Sequence, residues 1–229
     1  MSAPHIVSCR TASICLRDPS FFFSGMRFLH VTDLHYSKST RTLAFIRTLV
    51  GLFHPDRLVF GGDMGLHTPN QSAWAIRGNH DAVRKCLVQT FRTSFGNVLT
   101  VDSVCTSNDI SRPFLFTNRT ILFSHIPFLQ HTDRTRLVSG AIREPVSYSD
   151  GAQLSTLHNL VAVFSGHDHD NTQCTLVNAT LFCNTGAAGF EAYGKQPRMA
   201  RIIDVEDDRL STKLVTSNFA VSAPYLHSF

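Results

Sequence analysis

The stretch Met26-Arg-Phe-Leu-His-Val-Thr-Asp-Leu-His35 is an apolar run that ends in two side chains able to bind a cation, Asp33 and His35. Its Phe, Leu and Val residues predict a buried β-strand over Met26 to Thr32. Open α/β sheets bind their ligands beyond the carboxyl ends of the strands, which is where both side chains stand. A buried strand that ends in a carboxylate or an imidazole must satisfy that group, and a shared cation can do so.

Four further predicted strands end in the same way. Their polar side chains are Asp63, Asn79, His80, Asp81, His125, His167 and His169, after strands predicted at Arg57 to Gly61, Ala73 to Arg77, Thr120 to Ser124 and Leu160 to Ser165. Each motif alone is weak, although Gly-His-x-His is expected in only about 0.04 copies by chance. Imidazole, carboxylate and amide groups together suit zinc, iron or manganese better than calcium or magnesium. Two such ions fit if one carboxylate bridges them.

The rest of the chain alternates short β-rich runs with amphipathic stretches, which predicts one α/β domain. A first helix is expected from Ser39 to Phe53, and a third, shorter one after Ser149 or Asp150. A second helix is expected after Asp81, because Val83, Leu87, Phe91 and Phe95 recur at four-residue spacing before Gly96. Further strands are predicted at Phe114 to Thr117, in a hairpin from Cys174 to Cys183, at Ala200 to Val205 and at Leu210 to Thr216.

Length and composition limit the class of protein. The 229 residues are 43% hydrophobic and 17% charged, which allows one substantial core, and the formal charge of +4 gives a mild bias toward anionic ligands. No apolar run approaches the ~20 residues of a membrane-spanning helix. Charges interrupt Met1 to Arg27 before a signal-peptide core can form. We therefore expect a cytoplasmic protein, with a secretory compartment left open.

Two cysteines bear on whether the protein enters a secretory compartment. Cys174 and Cys183 would face each other across a hairpin with a two-residue turn at Asn178 and Ala179. A disulfide between them is left open here, and it would indicate an oxidising compartment. The six cysteines of the chain show no spacing typical of a zinc site.

The five motifs resemble those of the calcineurin-like metallophosphoesterase superfamily, which are D-x-H, GD, GNH followed by D or E, a lone His, and GHxH. The flanking residues resemble the branch that contains yeast Dcr2-type and plant purple-acid-phosphatase-like proteins, for example Gly166-His-Asp-His-Asp-Asn171 and Tyr193-Gly194. The resemblance covers about Leu16 to Asp204. It implies a single-domain, four-layer α/β/β/α sandwich, which we assign to residues 26–216. Residues 1–25 would be an N-terminal extension, with a leading hairpin as one option, and residues 217–229 a C-terminal tail.

The resemblance also assigns roles to individual residues. Metal one would be held by Asp33, His35, Asp63 and His169, and metal two by Asp63, Asn79, His125 and His167, with Asp63 as the bridge. The two ions, divalent or of the Fe, Zn or Mn type, would supply hydroxide for the hydrolysis of a phosphate ester. His80 would face the substrate and protonate the leaving alkoxide. Asp81 would either orient His80 or cap the helix that follows.

Two features depart from the family pattern and keep an alternative open. Leu66 stands where relatives have a polar residue, and the connection from Asp63 to Asn79 is short for a strand crossover. An irregular loop through His67 to Asn70 is therefore expected. The alternative is a metal-binding scaffold of the same fold that is catalytically weak or inactive. A nuclease is disfavoured, because the chain has no room for a DNA-capping domain. The sequence predicts neither the oligomeric state nor the identity of the phosphorylated substrate.

Overall fold

Two stacked β-sheets form the centre of the molecule. The computed structural model describes residues 25–35, 39–65, 73–81, 88–93, 95–103, 119–148, 154 and 159–229. In chain order, its elements are β1 (Met26–Val31), α1 (Thr40–Phe53), β2 (Arg57–Gly61), β3 (Ala73–Ile76), β4 (Val88–Arg92), β5 (Asn97–Val101), β6 (Thr120–Ser124), β7 (Leu137–Ser139), β8 (Leu160–Ser165), β9 (Cys174–Val177), β10 (Thr180–Asn184), β11 (Met199–Val205), β12 (Arg209–Thr216) and β13 (Tyr225–Ser228). Short 3-10 turns cover Leu129–Thr132 and Arg134–Arg136.

The first sheet has the strand order β13-β12-β11-β1-β2-β3, and the second has the order β4-β5-β6-β8-β10-β9-β7. Strands β1, β2 and β3 are parallel to one another, as are β5, β6, β8 and β10. The remaining pairs are antiparallel. The carboxyl ends of neighbouring parallel strands lie at one edge of each sheet, so the polar residues that follow these strands are brought together.

Helix α1 forms where the sequence predicted it, after the N-cap Ser39, and it covers the outer face of the first sheet. The Ser39 hydroxyl accepts a hydrogen bond from the Thr42 amide at its N-terminus, and His54 ends it in the left-handed conformation. Alternate residues of β1 face this helix, so that Leu29 and Val31 pack against its buried Phe45 and Leu49. Full burial of each such side chain contributes about 1.5 to 3 kcal/mol.

The other residues of β1 face the second sheet and build the central core. Phe28 packs against Phe123 of β6, with ring centroids 5.8 Å apart, and Phe164 of β8 joins the same cluster. On the outer face of the second sheet, buried residues including Leu122 pack with Phe128 and Leu154. The predicted α/β class is confirmed, and in the described part of the chain α1 is the only α-helix. No helix in these residues is long and apolar enough to cross a membrane.

The hairpin of β9 and β10 has the predicted register. Asn178 and Ala179 both have positive φ angles, 49° and 61°, as a two-residue type I′ turn requires. Cys174 therefore lies opposite Cys183, and the two residues form a disulfide with a Cα–Cα distance of 4.1 Å.

The second predicted helix is wrong where the structure describes it, because Val88–Arg92 form strand β4, paired with β5. Phe91 stacks on Trp74 of β3 with ring centroids 4.2 Å apart. This apolar residue of the predicted helix therefore packs against a strand of the first sheet. Gly96 belongs to the turn between the two strands, where its carbonyl accepts the Thr93 amide at 2.8 Å.

The end of the chain also differs from the expectation. Tyr225–Ser228 of the predicted tail form the edge strand β13, which pairs with β12 over four residues. The predicted strand at Phe114 to Thr117, the loop at His67 to Asn70 and the N-terminal hairpin lie outside the described residues. So does the third predicted helix, apart from Leu154.

Candidate metal centre

All seven predicted metal ligands lie at one edge of the stacked sheets. Asp33 and His35 follow β1, Asp63 follows β2, and Asn79 follows β3 of the first sheet. The remaining three follow β6 and β8 of the second sheet; they are His125, His167 and His169. The two sheets therefore contribute opposite walls of one polar site.

The first group of candidate ligands consists of Asp33, His35 and His169, whose ligand atoms all lie within 4.8 Å of one another. The His169 Nε2 atom is 3.3 Å from Asp33 Oδ1 and 3.1 Å from His35 Nε2. Asp33 and His169 are buried, whereas the His35 side chain is 20% exposed. Such a set of one carboxylate and two imidazoles suits a zinc-like or iron-like ion.

The second group consists of Asp63, His125 and His167, again with ligand atoms within 4.8 Å of one another. The His125 Nε2 atom is 3.4 Å from Asp63 Oδ2 and 2.9 Å from the Asn79 amide oxygen. Asn79 therefore adds a neutral oxygen to this group.

Asp63 lies between the two groups. Its Oδ2 atom is 3.6 Å from His35 Nε2 of the first group and 3.4 Å from His125 Nε2 of the second. Its other oxygen, Oδ1, accepts the His80 backbone amide at 2.8 Å. One carboxylate oxygen is thus directed at both groups, which is the arrangement that a bridging ligand needs.

Backbone carbonyls orient two of the imidazoles. The His125 Nδ1 atom donates to the Gly61 carbonyl at 2.8 Å, and His169 Nδ1 donates to the Tyr193 carbonyl at 2.9 Å. A carbonyl can only accept, so each Nδ1 carries a proton, and whenever the ring is neutral its Nε2 lone pair faces the site. Such bonds commonly orient histidines that ligate metals.

The Asp33 carboxylate is held on one side and free on the other. Its Oδ2 atom accepts the His167 amide at 2.8 Å and the Thr32 hydroxyl at 2.7 Å. Its buried Oδ1 atom has no hydrogen-bond partner among the described residues. That atom faces His169 Nε2 and, at 4.0 Å, His125 Nε2, so lone pairs converge there. A cation or a proton between them removes the repulsion, and the residues present therefore fit a bound cation.

The electrostatics of the protein alone point the same way. Burial by itself would lower the pKa of His125, but the charges of Asp33 and Asp63 outweigh it and raise this pKa to about 9. Burial would raise the pKa of Asp33, yet the positive charges that His125 and His169 can carry hold it well below its ordinary value. The two buried carboxylates thus favour a positive charge beside them, which a proton on His125 supplies in the protein alone and a bound cation would supply in its place.

The backbone of the motifs is strained where it turns the ligands inward. Asp33, His35, Asp63 and His167 all have positive φ angles between 43° and 69°. Non-glycine residues in this region cost about 1 to 3 kcal/mol each and persist where the surroundings require them. A Cβ atom on Gly78 would overlap the Asp63 carboxylate, which explains why glycine precedes Asn79.

The two residues predicted to be catalytic have different surroundings. The His80 side chain is 64% exposed, with Nε2 4.0 Å from Asp63 Oδ2 and its ring centroid 5.1 Å from that of His35. The Asp81 carboxylate instead accepts the backbone amides of Met64 at 3.1 Å, Gly65 at 3.2 Å and Gly78 at 2.8 Å. Its described hydrogen bonds thus differ from the expected contact with His80, and the start of the expected helix lies outside the described residues.

Three neighbours of the ligands had no role in the sequence-based prediction. The Tyr193 ring stacks on the His169 ring at a centroid distance of 3.6 Å. Asp168 accepts the Ser147 amide at 3.2 Å, and Asp102, which follows β5, accepts the Arg77 amide at 2.8 Å. Tyr193 and Asp168 belong to the family-like motifs Tyr193-Gly194 and Gly166 to Asn171, so the sequence could have indicated that they lie near the site. Asp102 follows a strand that the sequence pattern did not reveal.

Comparison with known proteins gives a consistent result. Residues 26–208 match the sequence model of the calcineurin-like phosphoesterase superfamily domain. Over 95 residues, 38% of this chain, the sequence is 34% identical to an Arabidopsis thaliana protein named "Probable inactive purple acid phosphatase 28". This match spans 24% of the length of that relative.

Solved structures share the fold at low identity. A dimetal phosphatase from Danio rerio has a TM-score of 0.58 and 10% identity, over 89% of this chain and 99% of that one. Vacuolar Protein Sorting 29 from Cryptosporidium parvum has a TM-score of 0.54 and 12% identity, over 90% of this chain and 100% of that one. At these identities the likeness concerns the fold.

Proposed function

The chain belongs to the calcineurin-like phosphoesterase superfamily, and from this premise we propose that it is a hydrolase that uses two metal ions to cleave a phosphoric ester bond. A phosphomonoester or a phosphoprotein is the proposed substrate. The observation that carries the proposal is the position of Asp63 Oδ2, 3.6 Å from His35 Nε2 and 3.4 Å from His125 Nε2. A single oxygen shared by two ligand groups is what a dinuclear centre requires.

Two sets of residues would hold the ions. They are Asp33, His35, Asp63 and His169 for one ion, and Asp63, Asn79, His125 and His167 for the other. When bound, two ions of the Zn, Fe or Mn type supply Lewis acidity toward the phosphate and a water activated at neutral pH. The neutral amide of Asn79 limits the negative charge of the protein, which leaves more positive field for a phosphate dianion.

His80 is the residue proposed to act on the leaving group. Its imidazole stands at the exposed mouth of the site, and its backbone amide donates to Asp63 Oδ1. The side chain is therefore accessible to a substrate and can donate a proton to a departing alkoxide. Asp81 supports this step by holding the loops on either side of His80, through the backbone amides of Met64, Gly65 and Gly78.

A metal-binding scaffold with weak or no turnover is the second candidate. The name of the Arabidopsis relative, which includes the word inactive, favours it. Against it stands the complete set of seven converging ligands together with an accessible His80.

The disulfide bears on the compartment of the protein. Disulfides persist in oxidising surroundings, so the Cys174–Cys183 bond favours the secretory alternative over the cytoplasm.

Turnover of a generic aryl phosphate separates the two candidates. The purified protein is stripped with a chelator, reloaded with manganese, zinc or iron, and assayed with p-nitrophenyl phosphate beside the variant Asp33→Asn. The matched control is Asp207→Asn, an exposed carboxylate far from the motifs in sequence. We expect hydrolysis only in the loaded wild type and in the control. Bound metal without hydrolysis in either protein would establish the scaffold instead.

A further inference from the structure

Tyr193 is an exposed aromatic residue that lies directly on the candidate metal centre. Its ring stacks on the ring of the buried ligand His169, with centroids 3.6 Å apart and an angle of 26° between the planes. Even so, 60% of the residue is exposed to solvent. One ring face therefore covers a metal ligand while much of the ring is left open.

Hydrogen bonds of both the side chain and the backbone hold Tyr193 in place, and its hydroxyl donates to the His167 carbonyl at 3.5 Å. The Tyr193 carbonyl accepts His169 Nδ1 at 2.9 Å and Arg198 Nη1 at 3.0 Å. The Asp170 carboxylate accepts the backbone amides of Lys195 at 2.8 Å and Gln196 at 3.0 Å, which anchors the following residues. An exposed aromatic ring that is held without help from its outer face is preorganised for a ligand, because little conformational entropy is lost on binding.

The open part of the ring borders the same mouth as His80. The Tyr193 ring centroid is 6.3 Å from that of His35, which in turn is 5.1 Å from that of His80. Both exposed rings are thus neighbours of His35, and a phosphate ester bound at the centre would lie close to Tyr193 as well as to the proposed acid.

We propose that the exposed face of Tyr193 binds a planar, aromatic leaving group of the phosphate ester. The proposal rests on the phosphoesterase function and narrows its substrate class. Aromatic rings gain about 0.5 to 1.5 kcal/mol from stacking beyond the area that they bury. That range corresponds to a preference of roughly twofold to twelvefold for an aryl over an alkyl group.

The competing role for Tyr193 is to position His169 and nothing more. Loss of positioning would impair metal binding, or reduce turnover of every substrate by the same factor. Loss of a stacking surface would affect aryl substrates selectively. The two roles therefore differ in the ratio between two substrates, whatever happens to the absolute rate.

The experiment compares wild type with Tyr193→Phe, Tyr193→Trp and Tyr193→Leu after elemental analysis of each. The control is Phe219→Leu, an exposed aromatic residue that contacts Phe45 of α1. The kcat/KM values for phenyl phosphate and ethyl phosphate are measured, and calorimetry gives the affinities for phenylphosphonate and ethylphosphonate. We expect the Leu variant to lose about fivefold for both phenyl compounds and less than twofold for both ethyl compounds. The Phe, Trp and control variants should keep the wild-type ratio or exceed it.

A phenyl-to-ethyl ratio in Tyr193→Leu equal to that of wild type, whether the absolute values fall or not, would overturn the role of Tyr193 in binding the leaving group. Should the metal-loaded wild type hydrolyse neither ester, the proposed function fails. The phosphonate affinities then still decide on Tyr193, because they report binding without turnover.

Discussion

At the scale of the residue, burial distinguishes four of the seven proposed ligands from the proposed proton donor, although the proposed ligand Asn79 is exposed as well. Asp33, Asp63, His125 and His169 are at most 2% exposed, whereas the His80 side chain is 64% exposed. A buried charged or polar group needs a partner inside the protein, and an exposed one does not. The sequence pattern predicted which residues would gather, but the exposure of each became visible only in the folded chain.

The first prediction concerns His80→Ala. The variant keeps the backbone amide that binds Asp63 Oδ1, so its metal content should equal that of wild type. It loses the proposed proton donor, and we expect kcat to fall by about a hundredfold to ten-thousandfold. Elemental analysis and p-nitrophenyl phosphate kinetics provide the check. His35→Ala serves as the contrast, since it should lose metal as well as activity, and unchanged kcat in His80→Ala would rule out the assigned role.

At the scale of the element, the two loops after β2 and β3 depend on one carboxylate. Asp81, in the loop after β3, accepts the amides of Met64 and Gly65 from the loop after β2. It also accepts the amide of Gly78 within its own loop. It therefore connects the segment that carries Asp63 to the segment that carries Asn79.

Asp81→Ala should accordingly destabilise the protein. It leaves three backbone amides without their charged acceptor, so we expect the free energy of unfolding in urea to fall by about 2 to 4 kcal/mol. Asp81→Asn keeps one side-chain oxygen as an acceptor and should lose about half as much. An Ala variant with wild-type stability but reduced kcat would favour the alternative role, in which Asp81 orients His80.

The hairpin of β9 and β10 provides a prediction about stability. Its disulfide closes a short loop, with a sequence separation of 9 residues between the cysteines. The entropy model of cross-links assigns a loop of this length about 2.6 kcal/mol. We expect Cys174→Ala/Cys183→Ala, and wild type treated with dithiothreitol, to lose that much in urea unfolding. A transition that neither the reductant nor the double substitution shifts would show that the bond contributes nothing.

The hairpin and β4 show why local pattern predicts some elements and misses others. The turn at Asn178 and Ala179 is set by a two-residue connection, so its register could be predicted from spacing alone. In β4 the four-residue spacing was misleading, because residues four apart share one face of a strand as well as of a helix, and Phe91 packs with Phe95 on the central core. Val88 packs toward the outer cluster instead. A strand with apolar residues on both faces has no two-residue period, and only its pairing with β5 identifies it.

At the scale of the whole molecule, the centre exists because two sheets present their strand ends at the same edge. The sequence predicted five strand ends with polar residues, and all five lie at that edge. The pattern could not predict how the strands divide between the sheets, or that β13 would extend the first sheet to the end of the chain. Those features depend on contacts between residues that are distant in sequence, such as Phe28 with Phe123.

The central claim is that Asp63 joins two ion sites into one centre, and the number of metal ions per chain tests it most directly. Wild type, Asp63→Asn and the exposed control Asp207→Asn are loaded with manganese or zinc, desalted and analysed for metal and protein together. We predict two ions per chain in wild type and in the control. In Asp63→Asn we predict fewer than one, with activity reduced by at least about a hundredfold, because both groups lose their shared negative oxygen. Two ions per chain and wild-type turnover in Asp63→Asn would contradict the account.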